Sequence, residues 1–202
     1  LGAGSMHPET LEEHIDKMNK ATQKPWGVNL PLMYPEIDQI VELIIRKGVK
    51  IVFTSAGSPK KYTARFHEAG IKVAHVVSSS KFAKKCEEAG VDAVVAEGFE
   101  AGGHNGREEL TTMVLIPQVR QSVSLPIIAA GGIASGQAMV AAQALGAEGV
   151  QIGTLFAACK ESSAAEAFKE YCIKLGEEDT MLALKKIAPS RLAKNSLYNK
   201  IK

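Results

Sequence analysis

Six short apolar runs, each followed by a longer stretch of helical character, constrain the fold of this chain more than any other feature. The short runs are WGVNL (Trp26–Leu30), KIVFTS (Lys50–Ser55), KVAHVV (Lys72–Val77), DAVVAE (Asp92–Glu97), PIIAAG (Pro126–Gly131) and GVQIGT (Gly149–Thr154). They are rich in β-branched residues, as strands covered on both faces are. Between them, Pro8-Glu9 opens a run with Leu11, Ile15 and Met18 at helical spacing, and Pro35-Glu36 opens one with Ile37, Ile40, Val41, Leu43 and Ile44. Pro59 begins PKKYTARFHEAG, and Ser80 precedes KFAKKCEEAG. Proline or a small polar residue at the start and glycine past the end are helix punctuation. Gly48, Gly70 and Gly90 each stand just before a strand, where a helix C-cap takes a left-handed residue.

Strands alternating with helices imply parallel pairing through right-handed crossovers. An open doubly wound sheet that binds dinucleotides would carry GxGxxG early, and none is present. A TIM (β/α)8 barrel is the better match. Asn29, Thr54, Ser55, Ser78, Ser79, Glu97, Gly131, Gly132, Gly153 and Thr154 fall at or just after strand C-terminal ends, the face on which barrels place their chemistry. A full barrel has eight strands. Leu1–Ser5 reads as the tail of a strand entering its loop, so the first βα unit and most of the second strand are expected to be missing before Leu1. The expected organisation is a barrel over residues 1–178 and the start of a C-terminal helical segment over 179–202, with helices at Ala164–Leu175 and Asp179–Ile187.

Composition narrows the function. Hydrophobic residues make up 46% and charged residues 23%, the net charge is +2, and the basic residues are spread along the chain. No clustered basic footprint for nucleic acid results. Three cysteines, Cys86, Cys159 and Cys172, without a CxxC pair, fit neither a disulfide framework nor a metal site. No apolar run reaches transmembrane length and no signal peptide is visible, so a cytoplasmic protein without a membrane partner is expected.

Two segments carry chemistry. AAGGIASG (Ala129–Gly136) follows one strand and opens a helix, and GVQIGT ends the next strand. Glycines there let backbone N–H groups face an anion at a helix N-terminus, so Gly131, Gly132, Gly153 and Thr154 are candidates to cradle a phosphate. Sugar phosphate, thiamine phosphate and flavin mononucleotide remain equally open. The second segment, EGFEAGGHNG (Glu97–Gly106), surrounds His104 with residues too small to block a flat ligand. A neutral imidazole suits proton transfer near neutrality. His75, within KVAHVV, could face either side of its strand. His14 and His67 read as surface residues, and Met113 and Trp26 as core or pocket wall.

AEGFEAGGHNG, IIAAGGIASG, EGVQIGT and GVNLPL, together with KYTARFHEAG and AKKCEEAGVDAVVAEG, resemble the nitronate monooxygenase family. The resemblance runs from LGAGSM to about RLAKN and is strongest to the FMN-dependent enoyl-acyl-carrier-protein reductase branch, the FabK type. It implies a TIM barrel with non-covalent FMN and an expected homodimer. It implies flavin contacts at Asn29, Glu97 and Gly102, a phosphate loop at Gly131 and Gly132, a last-strand phosphate motif at Gln151, Ile152, Gly153 and Thr154, and His104 as the active-site histidine. Three departures stand out. The family's N-terminal strand with its flavin-contacting loop is missing, as is the helical cap beyond about Asn195, and Leu155 replaces an arginine common after the last GT. The implied reaction is NAD(P)H-driven reduction of the enoyl double bond of an acyl-carrier-protein thioester, through FMN. The alternatives are oxidation of alkyl nitronates with oxygen, and a non-catalytic barrel serving assembly.

Overall fold

Every predicted strand forms, and each is followed by a helix, β4 by way of the short strand that carries His104. The computed structural model describes residues 1–4, 6–196 and 198. In chain order the elements are α1 (Pro8–Ala21), β1 (Gly27–Pro31), α2 (Ile37–Arg46), β2 (Ile51–Ser55), α3 (Thr63–Glu68), β3 (Lys72–Val77), α4 (Ser80–Glu88) and β4 (Ala93–Glu97). There follow β5 (Gly103–His104), α5 (Thr112–Ser122), β6 (Ile127–Ala130), α6 (Gly136–Ala144), β7 (Gly149–Gln151), α7 (Thr154–Ala157), α8 (Glu166–Lys174), β8 (Thr180–Ala183) and β9 (Ser190–Ala193). The parallel strands run β1-β2-β3-β4-β6-β7, in chain order and without the reversal of a doubly wound sheet. That sequential order is the topology of an incomplete (β/α)8 barrel. Among the described residues no helix is long and apolar enough to cross a membrane.

Two compact units make up the chain. The first comprises Leu1–Val77, Lys81–Val95 and Val123–Pro126. In it β1, β2 and β3 pair in parallel, with Val28 opposite Val52 and Val52 opposite Val73. β1 and β2 alternate between fully and partly buried residues. Val28, Leu30 and Val52 share this core with Leu11 and Ile15 of α1, Ile40 and Ile44 of α2, and Phe66 of α3, each at most 2% exposed. Leu1–Gly4 behaves as the expected strand tail: Asn29 N–H donates to Leu1 O at 2.7 Å and Ala3 N–H to Asn29 O at 3.0 Å. Ser5 lies outside the described residues.

The second unit comprises Ser78–Ser80, Ala96–Ser122 and Ile127–Lys202. There β6 pairs with β7 in parallel, Ala129 opposite Val150, and Leu115, Ile116 and Val119 of α5 are fully buried. A small antiparallel sheet, β5-β9-β8, completes it.

Two expectations are corrected. The run from Pro59 begins with a 3₁₀ turn at Pro59–Lys61 before α3. Asp179–Ile187 is not helical: Thr180–Ala183 is a strand paired with Ser190–Ala193. Asp179 turns its carboxylate back to Gly176 N–H, 2.7 Å away, and closes a turn instead of starting a helix. Leu184, at φ +55°, takes a left-handed conformation that a helix cannot accommodate. The segment 179–202 therefore opens with a β-hairpin, and 197 and 199–202 lie outside the described residues.

Gly48, Gly70 and Gly90 adopt φ of +68°, +70° and +76°, as the C-cap reading requires. At Gly70 a Cβ would meet no atom within 4 Å, so an added methyl tests the backbone conformation alone. We expect Gly70→Ala to lose about 1 kcal/mol in urea unfolding, and Phe66→Ala, which empties a fully buried site, about 3–5 kcal/mol. An unshifted midpoint for Gly70→Ala would contradict the left-handed cap.

Candidate functional site

The strand ends of the second unit surround a cleft of about 440 Å³, a size suited to a small molecule. Glu97, the last residue of β4, lines it with Glu100, Ala101 and Gly102 of the following loop. Gly131 and Gly132, after β6, form a second wall, and Gln151, the last residue of β7, forms a third with Gly153 and Thr154. Ile133, Leu155 and Phe168 supply apolar surface.

The loop after β6 is built for close approach. Gly131 and Gly132 take φ of +96° and +69°, and a Cβ on Gly131 would stand 2.7 Å from Gly98 O. Ser135 then caps α6, its Oγ accepting from Ala138 N–H at 3.2 Å. Among the described residues the N–H groups of Gly131, Gly132, Ile133 and Ala134 have no acceptor. Unpaired N–H groups leading into a helix N-terminus are complementary to an anion. The Thr154 hydroxyl, also on the cleft wall, can donate as well. These residues fit the phosphate of a nucleotide such as FMN.

Glu97 is different in kind. Its carboxyl has no hydrogen-bond partner among the described residues, and burial pushes it up to about 7. A carboxyl poised there can be a donor or an acceptor near neutrality.

Three residues that the sequence reading passed over hold the loops in place. The Glu100 carboxylate accepts from Thr112 N–H at 3.0 and 3.1 Å and so caps α5. The Thr112 hydroxyl lies 2.8 Å from Gly131 O and 3.1 Å from Glu100 Oε2, joining the loop after β4 to the loop after β6. Arg191 of β9 donates through Nε and Nη2 to Phe99 O, each at 3.0 Å. A polar residue just before the apolar run MVLIP was a visible signal for Thr112; nothing local marks Arg191.

Of the expected site residues, Glu97, Gly102, Gly131, Gly132, Gln151, Gly153 and Thr154 meet on this cleft, whereas Ile152 does not line it. His104 is exposed on β5, opposite Ser190 of β9, and its side chain is not on the cleft wall. Its neighbour Asn105 donates to Ala101 O at 2.8 Å and Gly103 O at 3.1 Å, and Asn105 Oδ1 is buried without a donor among the described residues. Asn29 belongs to the first unit, where its Nδ2 donates to Phe53 O at 3.5 Å. So does His75, which is buried with Nδ1 2.7 Å from the Thr54 hydroxyl. Burial pulls His75 down to about 4, partly offset by a hydrogen bond with the Gly57 backbone, so it is neutral. Met113, read as core or pocket wall, is 62% exposed.

Comparison with known proteins gives the family and the fold. A family model described as nitronate monooxygenase matches residues 32–202. The chain is similar to a (3aS,4S,5R,7aS)-5-hydroxy-7a-methyl-1-oxo-octahydro-1H-indene-4-carboxyl-CoA dehydrogenase of Rhodococcus jostii, 33% identical over all of this chain and 57% of the relative. It is also similar to a probable nitronate monooxygenase of Staphylococcus aureus, 33% identical over 90% of this chain and 64% of the relative. The chain thus spans about three fifths of these relatives. Among solved structures, FabK from Thermotoga maritima superposes with a TM-score of 0.94 at 44% identity, over 98% of this chain and 64% of that one. A nitroalkane oxidase from Streptomyces ansochromogenes gives 0.90 at 27% identity, over 99% and 70%.

The raised carboxyl predicts a pH effect. The neutral form of Glu97 is favoured by folding, so its contribution is complete below the ordinary 4.5 and lost as pH rises through about 7. The ligand-free protein should lose on the order of 3 kcal/mol of unfolding free energy over that interval relative to Glu97→Gln. Parallel pH–stability profiles for the two proteins would contradict the assignment.

Proposed function

We propose that this chain, which belongs to the nitronate monooxygenase family, is the cofactor-holding core of an FMN-dependent oxidoreductase that reduces enoyl thioesters with NAD(P)H. The observation that carries the reading is the cleft in which an anion cradle, a flexible-role carboxyl and glycine-lined walls meet at the strand ends. The 44% identity to a FabK structure over 98% of this chain favours the enoyl reductase branch. A relative named as a carboxyl-CoA dehydrogenase supports a thioester as the substrate class.

Bound FMN would supply the hydride relay between nicotinamide and the substrate β-carbon. The protein's part is to hold and to exclude. Gly131, Gly132 and the start of α6 would take the phosphate through backbone N–H groups, with Thr154 adding its hydroxyl. Gly102 and Ala101 leave room for a flat ring against the backbone. Glu97 would present its carboxyl to a polar edge of that ring, donating or accepting according to its protonation. Asn29 is proposed to add a contact from β1. His104 would orient the thioester carbonyl or deliver the proton that completes reduction at the α-carbon.

A second reading is supported by the family match and by the Staphylococcus relatives: oxidation of an alkyl nitronate with oxygen, without a pyridine nucleotide. The same scaffold serves both chemistries. NAD(P)H oxidation dependent on a crotonyl thioester is the expected activity; its absence, alongside nitronate-driven oxygen uptake, would select the second reading. His104→Ala should retain flavin and lose about 100-fold in turnover. Full turnover in that variant would remove His104 from the chemistry.

A further inference from the structure

The His104 loop poses a problem of order. Between Glu97 and Asn105 it contains Gly98, Gly102 and Gly103, residues that give a chain its greatest conformational freedom. A proton donor or orienting group on such a loop acts reproducibly only if the loop is fixed from outside. Thr112 holds Glu100, and the hairpin of β8 and β9, far along the chain, holds the segment that carries His104. Its backbone pairs Gly103 with Arg191 and His104 with Ser190, and Asn105 N–H donates to Pro189 O at 2.8 Å. These bonds hold only the outgoing end of the loop.

The incoming end has backbone bonds of its own, Gly98 N–H to Ala130 O and Phe99 N–H to Leu110 O, both at 2.9 Å, but it is tied to the outgoing end by a side chain. The Arg191 guanidinium places Nε and Nη2 on Phe99 O, both at 3.0 Å, and lies 5.1 Å from the centre of the Phe99 ring. Nη1 lies 3.3 Å from Thr180 Oγ1 on the neighbouring strand, which sets the plane of the fork. Arg191 thus grips Phe99 with its side chain and Gly103 with its backbone, and spans the base of the intervening turn. A charged, planar donor pair on one carbonyl and one ring face is an arrangement that a lysine ammonium cannot reproduce.

We infer that Arg191 is a positioning residue for His104: by joining Phe99 to Gly103 it closes the glycine loop into one geometry and fixes where His104 stands. The inference rests on the reading of His104 as the group that acts on substrate. It concerns no contact between Arg191 and substrate or cofactor.

The test uses the full chain with flavin bound, comparing the parent with Arg191→Ala and Arg191→Lys. Amide hydrogen exchange over residues 99–105 reads the clasp directly, and steady-state kinetics with NAD(P)H and a crotonyl thioester read its consequence. For Arg191→Ala we expect exchange in that segment to accelerate at least about tenfold, and kcat to fall about tenfold with the KM for NAD(P)H changed less than about twofold. Arg191→Lys should restore less than half of the lost turnover, and it carries the test if the alanine variant does not fold. Unchanged exchange in both variants would overturn the inference, as would accelerated exchange with full turnover. The two readings fail separately: a parent without thioester-dependent NAD(P)H oxidation rejects the proposed reaction and with it the catalytic purpose of the clasp, whereas unchanged exchange rejects the clasp whatever the reaction.

Discussion

The loops after β4 and β6 meet so closely that only glycine fits between them. Gly98 N–H donates to Ala130 O at 2.9 Å, and a Cβ on Gly131 would stand 2.7 Å from Gly98 O. A side chain on Gly131 would press on the Gly98 backbone and force the two strand ends apart, and one on Gly98 would collide with Thr112 and the Glu100 carboxylate. This contact sets the width of the cleft, because Glu97 lies just before Gly98 and the phosphate cradle begins at Gly131. Thr112 fills the angle between the loops, with its hydroxyl on Gly131 O and its N–H on the Glu100 carboxylate. The cleft is therefore shaped by backbone proximity first and by side-chain chemistry second.

That order explains how the residues divide their work. Gly131, Gly132 and the entry to α6 offer donors that need no charged side chain, and Ser135 rather than a basic residue caps the helix. With no cation opposite it among the described residues, the Glu97 carboxyl is governed by burial, which favours its neutral form. Leu155 lines the wall after Thr154, so apolar surface stands there beside the Thr154 hydroxyl. Specificity for an anion in this cleft must then come from oriented N–H groups and the helix dipole.

Much of this was legible in the sequence, for local reasons. Strands such as KVAHVV declare themselves by β-branched apolar runs, and Gly48, Gly70 and Gly90 mark helix ends because few other residues tolerate a positive φ. The walls of the cleft were legible too, since Glu97, Gly131 and Thr154 sit at strand ends. What stayed hidden depends on distant partners. Thr180–Ala183 looks helical until Ser190–Ala193 arrives to pair with it. Arg191 is one of many basic residues until its fork is seen on Phe99, 92 positions earlier. The side of the strand taken by His75 was undetermined by alternation and is settled by the Thr54 hydroxyl.

The cleft, proposed as a phosphate-recognising flavin site, is tested most directly by two ligands that differ only by that phosphate. Titrating flavin-free protein with FMN and with riboflavin, and following the quenching of flavin fluorescence, measures the difference. The account predicts that FMN binds at least about 100-fold more tightly, the worth of several oriented hydrogen bonds to a charged group. Equal affinities for the two flavins would contradict it.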